Sequence, residues 1–174
     1  MSDAKVLSAE RVLGDGNVID VTVNRAHKLN ALDHDHCAAL RDMFLALHCT
    51  QARAVRLTGA GDRSFIGGAD INTLQGLDST TSRAYITSVH EVCDAIRRCP
   101  VPVIARINGF CLGAGLEIAA ACDIRVAEPH AVLGMPEVKV GLPSVVEAAL
   151  LPKMIGWGHT RWMLLTGENI TAER

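Results

Sequence analysis

Residues 103–127 read Val103-Ile-Ala-Arg-Ile-Asn-Gly-Phe-Cys-Leu-Gly-Ala-Gly-Leu-Glu-Ile-Ala-Ala-Ala-Cys-Asp-Ile-Arg-Val-Ala127, and their order decides the fold class. Val103 to Ile107 has the β-branched content of a strand. Asn108 to Glu117 is a glycine-bearing turn that leads into a helix of small residues, Ile118 to Cys122. Asp123 to Ala127 reads as one more strand. Strand, turn, short buried helix and strand in succession predict a layered α/β arrangement.

The chain on either side keeps the same rhythm. Val18-Ile-Asp-Val-Thr-Val23 alternates as a strand, and Asn24 to Asn30 is a polar connection. Asp33 offers an N-cap for a helix whose stripe is Cys37, Leu40, Phe44 and Leu47. Ala54 to Thr58 reads as a strand, and the loop from Gly59 to Asp70 carries four glycines in its first ten residues. A second amphipathic helix is expected over 82–98 with Tyr85, Val89, Val92 and Ile96 inward, ended by Pro100 and Pro102. Ser144 and Glu147 form an S-x-x-E capping box for a helix to about residue 155. A shorter helix near 160–165 stops at Thr166-Gly167, and 171–174 resembles the first turn of another.

Within this frame Glu117 stands out. A dipole-favoured glutamate in a first turn is normally solvated, but the run Ile118-Ala-Ala-Ala121 predicts a helix buried on every side. A buried carboxylate costs free energy and points to a use. The amides of the first turn, with Gly113 and Gly115 allowing close approach to the backbone, suit an anion or a polarised carbonyl. Around Gly67, Gly68 and Ala69 a second glycine-lined loop offers N–H groups, although a tight turn with Asp70 as N-cap accounts for that pattern locally. Glu137, after Pro136 and among apolar residues, is a second acid, and near Lys139 it also reads as a solvated turn glutamate. Two carboxylates in unlike environments can divide the giving and taking of a proton.

The remaining composition excludes several classes. A net charge of −2 and 3% aromatic residues give neither the basic stripe nor the stacking platform of a nucleic-acid binder. The 174 residues, 49% of them hydrophobic, suit one domain over 1–174. The start Met1-Ser-Asp-Ala-Lys5 lacks the pattern of a signal peptide, and no stretch has some twenty uninterrupted apolar residues, so no membrane association is expected. The six cysteines form no C-x-x-C pair and read as reduced core thiols of a cytoplasmic protein. His34-Asp-His36, with Asp33 and Cys37, coincides with a helix start, so no metal site is expected there. Neither a G-x-S-x-G elbow nor a phosphate-binding loop occurs.

Taken together, Asn24-Arg25 with Asn30-Ala-Leu32, Ser64-Phe-Ile-Gly-Gly-Ala-Asp-Ile71, Asn108 to Glu117 with Cys122-Asp123, and Pro136-Glu137 with Gly141 resemble the enoyl-CoA hydratase/isomerase, or crotonase, family from about residue 10 onward. The resemblance implies a crotonase-like spiral of β-β-α turns with two roughly perpendicular sheets. It implies an oxyanion hole from the N–H groups of Ala69 and Ala114, and a coenzyme A channel along Gly68, Ala69, Asp70 and Ile71. It further implies Lys28 near the nucleotide end of that channel, while Gly113 and Gly115, which allow close approach to the backbone, remain substrate-binding candidates on their own pattern. In hydratases of this kind, acids matching Glu117 and Glu137 hold one water between them, the first activating it and the second protonating the α-carbon.

The implied reaction is hydration of an enoyl-CoA thioester, as in fatty acid metabolism, with coenzyme A as part of the substrate and no separate cofactor. Double-bond isomerisation on the same fold, or acyl-CoA binding without catalysis, are the alternatives. Family members continue past the matched region with a C-terminal helical region, missing here, and assemble as homotrimers or hexamers. Ala26 and Ala114 depart mildly from the family's usual proline and glycine.

Overall fold

The computed structural model describes residues 4–76 and 78–173. The chain opens with a hairpin of β1 (Val6–Leu13) and β2 (Gly16–Val23), paired from Val6 with Val23 to Leu13 with Gly16. The sequence reading missed β1. It is an outer strand with Ser8, Ala9 and Glu10 exposed, so it shows no inward alternation. Asp33 accepts a bond from the His36 amide and starts α1 (His34–Ala46), which buries Cys37, Leu40 and Phe44 as its stripe predicts.

Then β3 (Ala54–Gly59) joins β2 in parallel. The expected loop contains a three-residue strand, β4 (Ser64–Ile66), before α2 (Ile71–Leu74) and α3 (Ser79–Arg97). α3 starts three residues earlier than its apolar stripe suggests, because Asp78 and Thr81 form a capping box ahead of it. After it come β5 (Val103–Ile107), β6 (Phe110–Leu112), α4 (Ala114–Ala121), β7 (Ile124–Ala127) and β8 (Val132–Gly134). A 3-10 turn over Pro136–Val140 and another over Ala148–Leu150 lead into α5 (Leu151–Thr166), and β9 (Ile170–Thr171) closes the described chain.

Two sheets result. The first has the order β1-β2-β3-β5-β7 and the second β4-β6-β8-β9. In each turn of the chain the first strand enters the first sheet and the second strand the second, so β3-β4, β5-β6 and β7-β8 are successive steps of one spiral of parallel pairs. Asn108 pins the crossing: its Nδ2 donates to the carbonyls of Gly59 and Gly61 at 2.9 and 2.7 Å. The core fills the space between the sheets and α1, α3 and α4 with Phe44, Phe65, Leu57, Ile107 and Ile118.

Several local expectations fail for physical reasons. Ser144 and Glu147 cap no helix, since the Ser144 hydroxyl bonds Glu137 and the Glu147 carboxylate bonds His90 and Arg97. The two expected C-terminal helices are both present within α5, separated at Gly156, whose φ of 77° and ψ of 160° lie outside the helical region; only the start of the first differs, at Leu151. Ile170 and Thr171 pair with β8 instead of starting a helix, and Arg174 lies outside the described residues. Of the six cysteines, Cys37, Cys93, Cys111 and Cys122 are buried, but Cys99 is half-buried and Cys49 exposed.

Candidate active site

A cavity of about 400 Å³ opens where β4 and β6 end side by side. Gly68, Ala69, Ile71, Gly113, Ala114, Glu117 and Glu137 all line it. The parallel pairing of β4 with β6 dictates this, because loops leaving the same ends of adjacent parallel strands must meet. Their contact is direct: a Cβ on Gly68 would lie 3.2 Å from the Leu112 carbonyl oxygen.

Both loops present an unused amide. Leu32 bridges to Ala69, but its bonds run to the Gly68 carbonyl and from the Asp70 N–H, leaving the Ala69 N–H outside the ladder. Ala114 is the first residue of α4, where a helix has no internal acceptor for the N–H. Among the described residues neither amide has a backbone acceptor. Gly113 turns the chain into α4 with φ 52° and ψ −122°, a conformation that excludes a Cβ.

Glu117 is 2% exposed and sits on α4 at the cavity wall. Its Oε1 accepts three backbone bonds, from Val146 at 3.2 Å, Glu147 at 2.9 Å and Ala148 at 3.0 Å. Among the described residues its Oε2 has no hydrogen-bond partner. Burial pushes its pKa up to about 7, the charge of Glu137 adds to the rise, and the three amides oppose it. A carboxyl poised near neutrality can take a proton and return it.

Glu137 reaches the cavity from the 3-10 turn after β8. The Gly113 N–H bonds the Gly134 carbonyl at 2.9 Å, which carries this turn to the start of α4. Its Oε2 accepts from the Ser144 hydroxyl at 2.9 Å. Burial raises its pKa, while its own backbone amide and Ser144 lower it. The two acids therefore line one cavity in different surroundings, one held by main-chain donors and the other by a hydroxyl.

Three expected site residues stand away from the cavity. Asp70 caps α2 and receives Arg25 at 2.8 Å and Lys28 at 3.1 Å, so it fastens the Ala69 loop from behind. Lys28 is occupied in that ion pair. Gly115 faces the Ile66 backbone, where a Cβ would collide, and is a packing residue. His36 bonds Asp33, and His34 stacks edge-on against Tyr85. No group of three His, Cys, Asp or Glu residues among the described ones could hold a metal, and no described helix is long and apolar enough to cross a membrane.

Sequence reasoning missed the segment 144–148, which supplies Ser144 to Glu137 and three amides to Glu117. Its S-x-x-E pattern gave a signal, but one that local rules assign to a helix cap. The apolar part of the cavity comes from Leu74, Tyr85, Ile86, Val89, Leu142 and Val145. The helical stripe had identified Tyr85 and Val89 as inward.

The family model for enoyl-CoA hydratase/isomerase matches residues 14–174. The short-chain-enoyl-CoA hydratase of Clostridium acetobutylicum is 37% identical over 164 residues, which cover 91% of this chain and 62% of that protein. The crotonyl-CoA hydratase of Syntrophomonas wolfei is 36% identical over 153 residues, covering 87% and 59%. The crystal structure of an enoyl-CoA hydratase from Bacillus anthracis superposes with a TM-score of 0.89 at 29% identity, over 95% of this chain and 65% of that one. The chain thus spans about three fifths of the length of these curated relatives. With the family match running from residue 14 to residue 174, and the spiral shared with a solved hydratase, the chain belongs to the enoyl-CoA hydratase/isomerase family.

Proposed function

We propose that this chain carries the reacting groups of an enoyl-CoA hydratase. The observation that supports this most is the convergence of two free amides and two acids on one cavity. In the proposed reaction the thioester carbonyl oxygen accepts from the N–H groups of Ala69 and Ala114. Glu117 takes a proton from water as the oxygen forms its bond to the β-carbon, and the displaced electron pair moves to the carbonyl oxygen as an enolate. Glu137 then delivers its proton to the α-carbon. Passing the proton from Glu117 back to Glu137 restores the pair, so water is the only reagent added. Fixed donors aimed at a developing oxyanion stabilise the transition state more than the ground state.

Coenzyme A enters as part of the substrate, with its acyl chain against Leu74, Ile86, Val89 and Leu142, and the chemistry needs no separate cofactor. Buried free thiols suit a reducing compartment such as the cytoplasm, and hydration of this kind serves fatty acid metabolism. Assembly as a homotrimer or hexamer fits the exposed Val138, Val140, Val145, Trp157 and Leu165.

Crotonyl-CoA in oxygen-18 water tests the reading. Loss of the conjugated-thioester absorbance with one labelled oxygen in the product supports hydration. Conversion of a 3-enoyl thioester to the conjugated one without label supports isomerisation, and binding without either change supports a non-catalytic acyl-CoA carrier.

A further inference from the structure

Behind Glu117 lies a charged cluster outside the cavity. Glu147 is 6% exposed, with one carboxylate oxygen 2.9 Å from His90 Nδ1 and the other accepting from Arg97 Nη1 at 3.0 Å. Both partners sit on α3, two turns apart and so on one face. The backbone N–H of the same Glu147 makes the shortest of the three bonds to Glu117.

Residues 142–147 belong to no helix or strand, so no ladder fixes the direction of their N–H groups. The Glu147 carbonyl accepts from the Leu150 N–H at 2.9 Å on one side. On the other side the residue is held by its carboxylate, drawn across to α3. A buried carboxylate with two such partners keeps a defined position, because releasing it would leave a charge without compensation.

We propose that Glu147, clamped by His90 and Arg97, is a positioning residue for Glu117: the clamp fixes the angle at which the amides of residues 146–148 meet that carboxylate, and so how firmly its ionised form is held. Only the naming of Glu117 as the reacting base rests on the hydratase reading. The bonds themselves do not.

Two effects of removing Glu147 have opposite signs, which makes the idea testable. Taking away a neighbouring negative charge lowers the pKa of Glu117, whereas loosening its amide donors raises it. The measurement is a carbon-13 NMR titration of the Glu117 carboxyl in the free protein, assigned by its loss in Glu117→Gln, beside the pH profile of kcat/KM. In Glu147→Ala the Glu117 midpoint is expected to rise by about half a unit to one unit, the size of a weakened hydrogen bond. The acidic limb of kcat/KM moves with it, and KM stays unchanged. If Glu147→Ala does not fold, Glu147→Gln combined with Arg97→Ala conserves the pair's net charge and is expected to give the same rise.

A midpoint that falls or stays fixed overturns the proposal and leaves Glu147 as a tie between α3 and the start of α5. An inactive chain whose Glu117 midpoint still rises keeps the clamp and loses the hydratase reading. An active chain with a fixed midpoint does the reverse.

Discussion

Glu137 Oε1 occupies the space a side chain on Gly113 would need, 2.5 Å from where a Cβ would stand. The same glycine has a φ of 52° that L side chains avoid. Gly113→Ala therefore forces two changes together, a strained backbone at the start of α4 and a displaced Glu137. We expect a loss of about 1–3 kcal/mol in stability by chemical denaturation, with a fall in turnover out of proportion to the unfolded fraction. Stability and turnover both within error of the parent would mean that the two groups are not in contact.

Removing either acid should stop the chemistry without emptying the cavity. Glu117→Gln and Glu137→Gln are each expected to lower hydration by at least about a hundredfold, the low end for a lost general acid or base. Thioester binding, followed by calorimetry, should largely survive. An acid whose replacement leaves turnover within a few-fold of the parent is not part of the reaction.

The raised pKa of Glu117 has a consequence for stability. Its folded value of about 7 lies above the ordinary 4.5, so the folded chain holds this proton more tightly than the unfolded one. That contribution is complete below pH 4.5 and is lost as pH rises to about 7, a change of roughly 3 kcal/mol. Glu117→Gln lacks the titration. Urea unfolding of parent and variant should give similar stabilities near pH 4 and a more stable variant at pH 8. Parallel curves across that range would show that burial does not perturb this carboxyl.

The two free amides can be deleted singly. Ala114 is the first residue of α4, where proline is sterically acceptable, so Ala114→Pro should keep the fold and lose the donor. One missing oxyanion donor corresponds to roughly 3–4 kcal/mol, or a few hundredfold and more in kcat. Ala69→Pro should act alike, and glycine at either position should be tolerated. Circular dichroism separates misfolding from a clean loss of rate, and full activity in a folded Ala114→Pro chain would remove that amide from the mechanism.

Much of this was legible in the sequence, and each failure has a physical cause. The helices α1 and α3 carry long periodic patterns, so Cys37, Leu40, Tyr85 and Val89 announced themselves, whereas the outer strand β1 has no inward alternation and did not. The second sheet is made of β4, β6, β8 and β9, two or three residues each, too short for alternation to register. Glu117 was visible as an acid among alanines and Glu137 as one behind a proline. Local pattern alone does not bring them together, and only the family resemblance implied that they meet; in the structure Gly113 bonds Gly134 across the second sheet and ties their two segments. Ser144 and Glu147 misled because side chains from distant elements outcompeted a local cap. Asp70 and Gly115, expected at the channel, do not line the cavity: Asp70 holds ion pairs and Gly115 packs on the Ile66 backbone.

The three bonds to Glu117 come from peptide N–H groups, and every residue type except proline brings one. Heritable change at 146 and 148 can thus vary bulk and polarity without touching the donors, within what the core admits. Insertions and deletions between 137 and 146 are another matter. A single extra residue there would alter the path between the acid at 137 and the donors, leaving both sets of side chains intact but separated. Homologous chains that keep this device should tolerate substitution along the segment far better than changes in its length.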